Sequence, residues 1–399
     1  MRGIAKHRGT VLLVAGFVLA ALNLRPALAG VSPLLPAIMR DLGLGPAGGG
    51  AITTVMVACL GLLAPVAPVL ATRVGLDRTL LAGLLVLAAG VALRSADGVP
   101  ALYCGAALAG TAIAVMNVVM PGLVKQHFPG RIGLFTGLYV SVMVGGAALA
   151  SATMVPLAGR VGWRVAAGSP ALLALLAAVL WWASTSMRTA PIAGRSGGVP
   201  GHRPYGTLLR TPTTWAVMAF MGLQSLTFYV LLAWLPTVFQ AAGLPADEAG
   251  YLLGLTNLVQ IAAALAVPLH AGRARSQVPH VVVAALLTVG GYLGVLLAPA
   301  TVPWLWMIVL GLGQGASIAL ALLIITLRAP DPASVTALSA VAQSSGYVLA
   351  ALGPLAFGLL HELSGGWTVP LLAGLGACAI QLASGVLAAR PTPGWSPRR

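Results

Sequence analysis

Arg25 lies inside a long apolar stretch, VLLVAGFVLAALNLRPALAGVSPLL from Val11, directly before Pro26. A guanidinium stays protonated and presents five N–H donors in a planar fork, a geometry suited to holding a small anion at two points. Charge at the centre of a bilayer costs at least about 2.5–3.5 kcal/mol, so an arginine placed there is a functional candidate by default. All seven acidic residues fall between the apolar stretches or near their ends, and no carboxylate is expected at the depth of Arg25. The competing reading is an arginine that ties down carbonyls freed by Pro26, or that snorkels to the interface. Asn23 precedes it by two residues, about 200° around a helix, so both side chains face one small site only if the helix is distorted near Pro26.

Other polar side chains recur near the middle of apolar stretches: Asn117, Tyr139, Gln224, Tyr229, Asn257, Gln260, Gln314, Gln343 and Tyr347. Amides and phenols orient a ligand without adding charge. They also join helix to helix, at about 0.6 kcal/mol per bond on average, and for any one residue the two readings stand side by side. With Arg25 and Asn23, these are the candidate substrate-binding residues. No catalytic residue, metal site or cofactor is expected. Cys59, Cys104 and Cys378 are dispersed through apolar runs, which argues against a disulfide framework or a zinc site. No carboxylate pair or base–nucleophile set supports reading the chain as an enzyme. His127, His270, His280 and His361 stand at the ends of apolar stretches, so proton coupling through an embedded carboxylate or imidazole is disfavoured.

The elements that must position these groups follow from composition. The 399 residues are 59% apolar and 7% charged, against about 25% charged in a soluble domain. Stretches long enough for about 30 Å of hydrocarbon run over 11–39, 47–72, 78–95, 99–124, 132–158, 165–187, 213–240, 247–270, 278–298, 302–327, 333–361 and 366–389. The expectation is therefore an all-α integral membrane protein of twelve transmembrane helices. Glycine and proline, 50 and 28 residues, are tolerated where such helices pack closely or bend.

An even number of spans places both termini on one side. Seventeen Lys and Arg residues fall in the termini and alternate connections on that side, against Arg40, Arg94, Arg160 and Arg164 on the other. This bias puts both termini in the cytoplasm of an inner-membrane protein and accounts for the formal charge of +15 without nucleic acid as a partner. The start, MRGIAKHRG followed by VLLVAGFVLAAL and Ala27-Leu28-Ala29, imitates a secretory signal. Apolar sequence continues to Met39, and an uncleaved first helix is the simpler account.

A basic connection rich in Gly and Pro separates six spans from six, which predicts halves at 1–187 and 212–399 around a cytoplasmic linker at 188–211. At an offset of 200 residues, Leu35, Pro36, Gly43, Leu44 and Gly50 meet Leu235, Pro236, Gly243, Leu244 and Gly250. Gly162-Trp163 is echoed by Gly366-Trp367, and Phe128-Pro129 by Ala329-Pro330. Two pseudo-symmetric halves of six helices around a central site are a secondary-transporter architecture. Two glycine patterns read as helix packing: Gly290 with Gly294, and Gly311-x-Gly313-Gln314-Gly315, which lacks the strand–helix context of a nucleotide loop.

The twelve-span pattern resembles the major facilitator superfamily. NLRPALAGVSPLLPAI from Asn23, MNVVMPGLVKQHFPGRIGLFTGLY from Met116 and Gly162-Trp163-Arg164 resemble its cyanate and 2-nitroimidazole transporter branch. The resemblance covers essentially the whole chain and favours inward-facing sites on spans one, four, five, seven, eight, ten and eleven. The superfamily's signature between spans two and three is degraded to LATRVGLDR, which keeps Gly75, Asp77 and Arg78. The resemblance, taken with Arg25, implies a secondary carrier of a small polar, anionic or weakly acidic solute by alternating access, with the solute and the lipid bilayer as partners and a monomer as the unit. The alternatives are a multidrug or metabolite exporter of the same superfamily and, in a different class, a non-transporting membrane receptor or sensor.

Overall fold

A computed structural model describes residues 2–44, 46–186 and 208–390, so most of the 188–211 linker lies outside the described residues. Among the described residues every regular element is helical. Inside hydrocarbon every backbone N–H and C=O must be paired within the protein, and a helix does this within one segment.

The first span is α1 (Arg2–Leu22), a break at 23–25, the one-turn α2 (Pro26–Ala29), a 3-10 turn at Ser32–Leu34 and α3 (Leu35–Leu42). The second is α4 (Pro46–Leu62) and α5 (Val66–Val74), bent by 60° where Leu63, Ala64 and Pro65 interrupt the helix. The other spans of the first half are α6 (Leu76–Arg94), α7 (Val99–His127), α8 (Ile132–Val161) and α9 (Trp163–Ser186). Those of the second half are α10 (Pro212–Ala241), α11 (Ala246–Ala271), α12 (Val278–Leu297), α13 (Pro303–Arg328), α14 (Pro332–Ser364) and α15 (Thr368–Ala389). Eleven segments are long and apolar enough to cross a membrane, and the bent pair brings the number up to twelve. Each coincides with one of the twelve expected stretches.

The sequence repeat reappears as local geometry. Gly43 and Gly243 both take positive φ, 65° and 96°. Past them Leu44 N–H donates to Met39 O at 2.9 Å and Leu244 N–H to Phe239 O at 3.1 Å, the six-residue closure that ends a helix on a left-handed glycine. The Gly-Trp echo is displaced by one residue, because the positive-φ glycines are Gly162 and Gly365 rather than Gly366.

The chain forms two compact units. One comprises Met1–His127, Val142–Tyr205 and Asp331–Ala340; the other comprises Phe128–Ser141, Gly206–Pro330 and Val341–Arg399. In the first, α6 and α7 bring their backbones together: a Cβ on Gly90 would lie 2.6 Å from Ala109 N, and one on Gly105 2.6 Å from Arg94 Cα. In the second, α12 meets α13 through Gly291 and Gly294, under Leu310 and Trp306. Gly290, part of the pattern read from sequence, has only Val309 at 3.8 Å, because the contact face follows residues three apart. Gly311 lies against Thr256 and Val259, Gly313 against Thr288 and Gly315 against Gln260. All three glycines admit neighbouring helices, in keeping with their reading as packing residues.

Asp331 opens α14. It accepts the Ala333 and Ser334 amides at 3.0 Å and the Ser334 hydroxyl at 2.5 Å. Burial pushes its pKa up, but these hydrogen bonds and the charge of Lys125 outweigh burial and hold the carboxyl below its ordinary range.

Candidate functional site

The interrupted first span carries the candidate charge. Pro26 has no N–H and its ring excludes the preceding helical geometry, so α1 stops at Leu22 and Arg25 stands before α2 with φ −124° and ψ −32°, half-buried. Asn23 is 1% exposed and donates its amide to Leu19 O at 2.8 Å and to Leu173 O at 3.3 Å, joining the break to α9. The Asn23 amide nitrogen therefore holds backbone, and the helix is interrupted between residues 23 and 25.

A second arginine serves the same segment. Arg94 reads from sequence as a loop charge ending the third span; the structure buries it to 2% exposure. Its Nη1 donates to Ala27 O at 2.6 Å and lies 3.7 Å from the Met56 sulfur, while Nη2 donates to Ala167 O at 3.2 Å. Ala27 needs the outside donor because α2 is one turn long and the Val31 amide turns to Leu28 O instead. Among the described residues no carboxylate pairs with Arg94. The sequence offers no sign of this role, since the acceptors are carbonyls of alanines about 70 residues away on either side. Asn117, on α7 of the same unit, is 6% exposed.

The other candidates belong to the second unit. Tyr139 and Tyr347 are buried, and Gln343, one turn before Tyr347, is 2% exposed. Tyr229 is half-buried with its ring 5.3 Å from Phe228. Asn257 is half-buried and Gln260 is 3% exposed. Gln224 donates to the neighbouring Ser225 hydroxyl at 2.7 Å and to Met221 O at 3.2 Å.

Gln314 joins a buried polar network. Its amide donates to the Thr227 hydroxyl at 3.1 Å, and that hydroxyl lies 3.2 Å from Gln381 Oε1. Gln381 donates to Ser317 at 3.3 Å, and Tyr292 OH to Thr227 O at 3.1 Å. Four helices, α10, α12, α13 and α15, meet here. Thr227, Gln381 and Ser317 went unnoticed in the sequence because no pattern distinguishes them from other polar residues in apolar runs.

The profile of the Major Facilitator Superfamily matches residues 11–354. The chain belongs to that superfamily. It is 35% identical over 372 residues to the 2-nitroimidazole transporter of Escherichia coli (strain K12), covering 92% of each chain. To the cyanate transport protein CynX of the same strain it is 31% identical over 355 residues, covering 88% of this chain and 90% of the relative. Among solved structures, the superfamily transporter FucP in its outward conformation aligns with a TM-score of 0.74 at 13% identity, covering 95% of this chain and 100% of that one. The last comparison speaks to the fold alone. This is a multi-pass membrane transporter of the superfamily, similar to the cyanate and 2-nitroimidazole branch.

Two motifs of this transporter now have partners. Gly75 takes φ 87°, a turn that favours glycine, and starts α6. Asp77 in the degraded signature lies 2.7 Å from the His127 ring and accepts Gln126 Nε2 at 2.8 Å, while Trp181 Nε1 donates to its backbone oxygen at 3.0 Å. In the Gly162-Trp163-Arg164 motif, Arg164 pairs with Asp41 at 2.5 Å and Asp97 at 2.6 Å and lies 4.6 Å over the Trp163 ring. One guanidinium thereby links the end of α3, the turn after α6 and the start of α9. At the corresponding place in the second half Trp367 is followed by threonine. A cluster of tilted aromatic rings replaces the ion triad there, with His361 and Trp367 centroids 4.0 Å apart and Trp234 5.3 Å from Trp367.

Proposed function

We propose that this transporter moves a small polar solute, anionic or weakly acidic, across the inner membrane by alternating access of its two six-span halves, 1–187 and 212–399, as a monomer. The observation that carries the reading is Arg25, a permanent cation at the break of the first span. Asn23 at the break and Arg94, through Ala27 on the following turn, tie this segment to its neighbours through bonds that do not involve Arg25. The relatives' names support the same class, since cyanate is a small anion and a 2-nitroimidazole a small polar azole. Asn117, Tyr139, Gln224, Tyr229, Asn257, Gln260, Gln314, Gln343 and Tyr347 are proposed to orient the solute through neutral hydrogen bonds, with Asn23 acting through the shape of the break. The Gln314 carbonyl oxygen is buried with no hydrogen-bond partner among the described residues, whereas the Gln224 amide nitrogen already serves Ser225 and Met221, so ligand contact at both is proposed to fall first to the carbonyl oxygen.

In proteoliposomes loaded with unlabelled solute, labelled small anions and azoles should show accelerated counterflow for at least one compound. A purified protein that binds such a compound but gives no counterflow for it would instead be a receptor or sensor.

Both termini and the 188–211 linker are proposed to face the cytoplasm, from the distribution of Lys and Arg. Alkaline phosphatase fused after Arg203 should be inactive and a cytoplasmic reporter at the same place active. Strong phosphatase activity there would reverse the orientation.

A further inference from the structure

We propose that the groove between α11 and α12 holds an anionic phospholipid, with an acyl chain on the groove floor and the phosphate at its basic end. A cavity of about 500 Å³ opens between these helices over α13, walled by Ala263, Ala266, Val283, Ala284, Leu287 and Leu312. Alanines on α11 leave the depression that larger side chains would fill. The apolar walls are ill-suited to a small polar solute, which needs donors and acceptors around it. They suit an alkyl chain, and Val283 is 57% exposed in a protein that spans a membrane.

One end is chemically different. His270, in the last turn of α11, and His280, in the first turn of α12, line the groove with their Nδ1 and Nε2 atoms 2.6 Å apart. His280 Nδ1 is shielded from solvent and has no hydrogen-bond partner among the described residues. The short connection between the two helices carries Arg273 and Arg275, both exposed. No acidic side chain lines the cavity. The basic groups stand where the helices end, at headgroup level for a spanning pair. Arg273 and Arg275 lie beside the cavity rather than in its lining, and basic side chains next to a groove between membrane helices at that level favour anionic headgroups, whereas a zwitterionic lipid would gain chiefly the apolar wall. The assignment is independent of which solute is carried.

Native mass spectrometry of the full chain in neutral detergent, titrated with phosphatidylglycerol and with phosphatidylcholine of identical acyl chains, tests it. Phosphatidylglycerol should be retained at concentrations at least tenfold lower. The double variant R273Q/R275Q should lose affinity for phosphatidylglycerol by about fivefold for each arginine, with phosphatidylcholine unchanged. Ala266→Trp, which fills the groove, should abolish retention of both. Equal retention of the two lipids, or undiminished preference in R273Q/R275Q, overturns the proposal. So does displacement of phosphatidylglycerol by inorganic phosphate at matching concentration, since that places all the affinity in the headgroup. An Ala266→Trp variant that folds, keeps its lipid and turns a dimer into a monomer would show that a second copy occupies the groove. If Ala266→Trp does not fold, R273Q/R275Q decides alone.

Discussion

Arg25→Gln is expected to weaken solute binding by about 30-fold or more in a protein that still inserts and folds, with Arg25→Lys between it and the parent. Losing one partner of a buried, hydrogen-bonded charge pair costs about 2–5 kcal/mol, and the lower bound corresponds to about 30-fold. Lysine keeps the charge but loses the planar fork, so a two-point contact becomes a single one. The structural rival predicts that both variants fall in stability while their affinity stays normal. Two features weigh against it. The Asn23 amide grips Leu19 and Leu173, and the Arg94 guanidinium grips Ala27 and Ala167. The segment around Pro26 thus has ties on both sides that an Arg25 substitution leaves in place. Calorimetric affinity and thermal midpoint, measured on the same purified variants, separate the accounts; unchanged affinity in a stable Arg25→Gln protein removes this residue from the solute site.

Arg94→Met should produce the opposite pattern, a fall in stability with solute affinity retained in the folded fraction. A neutral hydrogen bond within a membrane bundle is worth about 0.6 kcal/mol on average, but hydrogen bonds to charged groups reach about 1.5–3 kcal/mol each. Arg94 makes two, to Ala27 O and Ala167 O. The first of these carbonyls has lost its helical donor to the shortness of α2, and Ala27 is 1% exposed. Methionine fills similar space without a donor, so the expected loss is about 3 kcal/mol or more. Against this stands desolvation of a cation without a carboxylate partner, which in some proteins makes replacement by an apolar side chain stabilising. The carbonyls decide the sign here, because they stay buried whatever replaces the arginine. Arg94→Lys, able to reach one carbonyl, should fall between. A thermal midpoint for Arg94→Met equal to or above that of the parent would show that desolvation outweighs the hydrogen bonds.

The same contrast marks how far the sequence could be read. Twelve apolar stretches emerge because the bilayer imposes a length of about 20 residues on any spanning helix, and hydropathy measures that directly. The halves' kinship was visible at Gly43 and Gly243, where the backbone itself demands glycine and therefore leaves a mark in the sequence. The bend between α4 and α5 was not evident, since Pro65 and Pro68 resemble the prolines that interrupt no helix at Pro121, Pro156 and Pro236.

For the candidate site, sequence determined the residue types and their positions along the apolar stretches, and no more. It singled out Arg25 because an arginine amid apolar residues is unusual whatever surrounds it, and it treated Arg94 as a loop charge because that residue ends a span. Only the tertiary structure separates the two. Close approach at Gly105 brings the backbone of Arg94 against α7, and the guanidinium then meets carbonyls from α2 and α9, segments 67 and 73 residues away. The network of Gln314, Thr227 and Gln381 likewise depends on helices 87 and 154 residues apart. Local composition sets what a side chain offers; which acceptor receives it is decided by helix packing, and carbonyls, which every residue carries alike, leave no sequence signature of that choice.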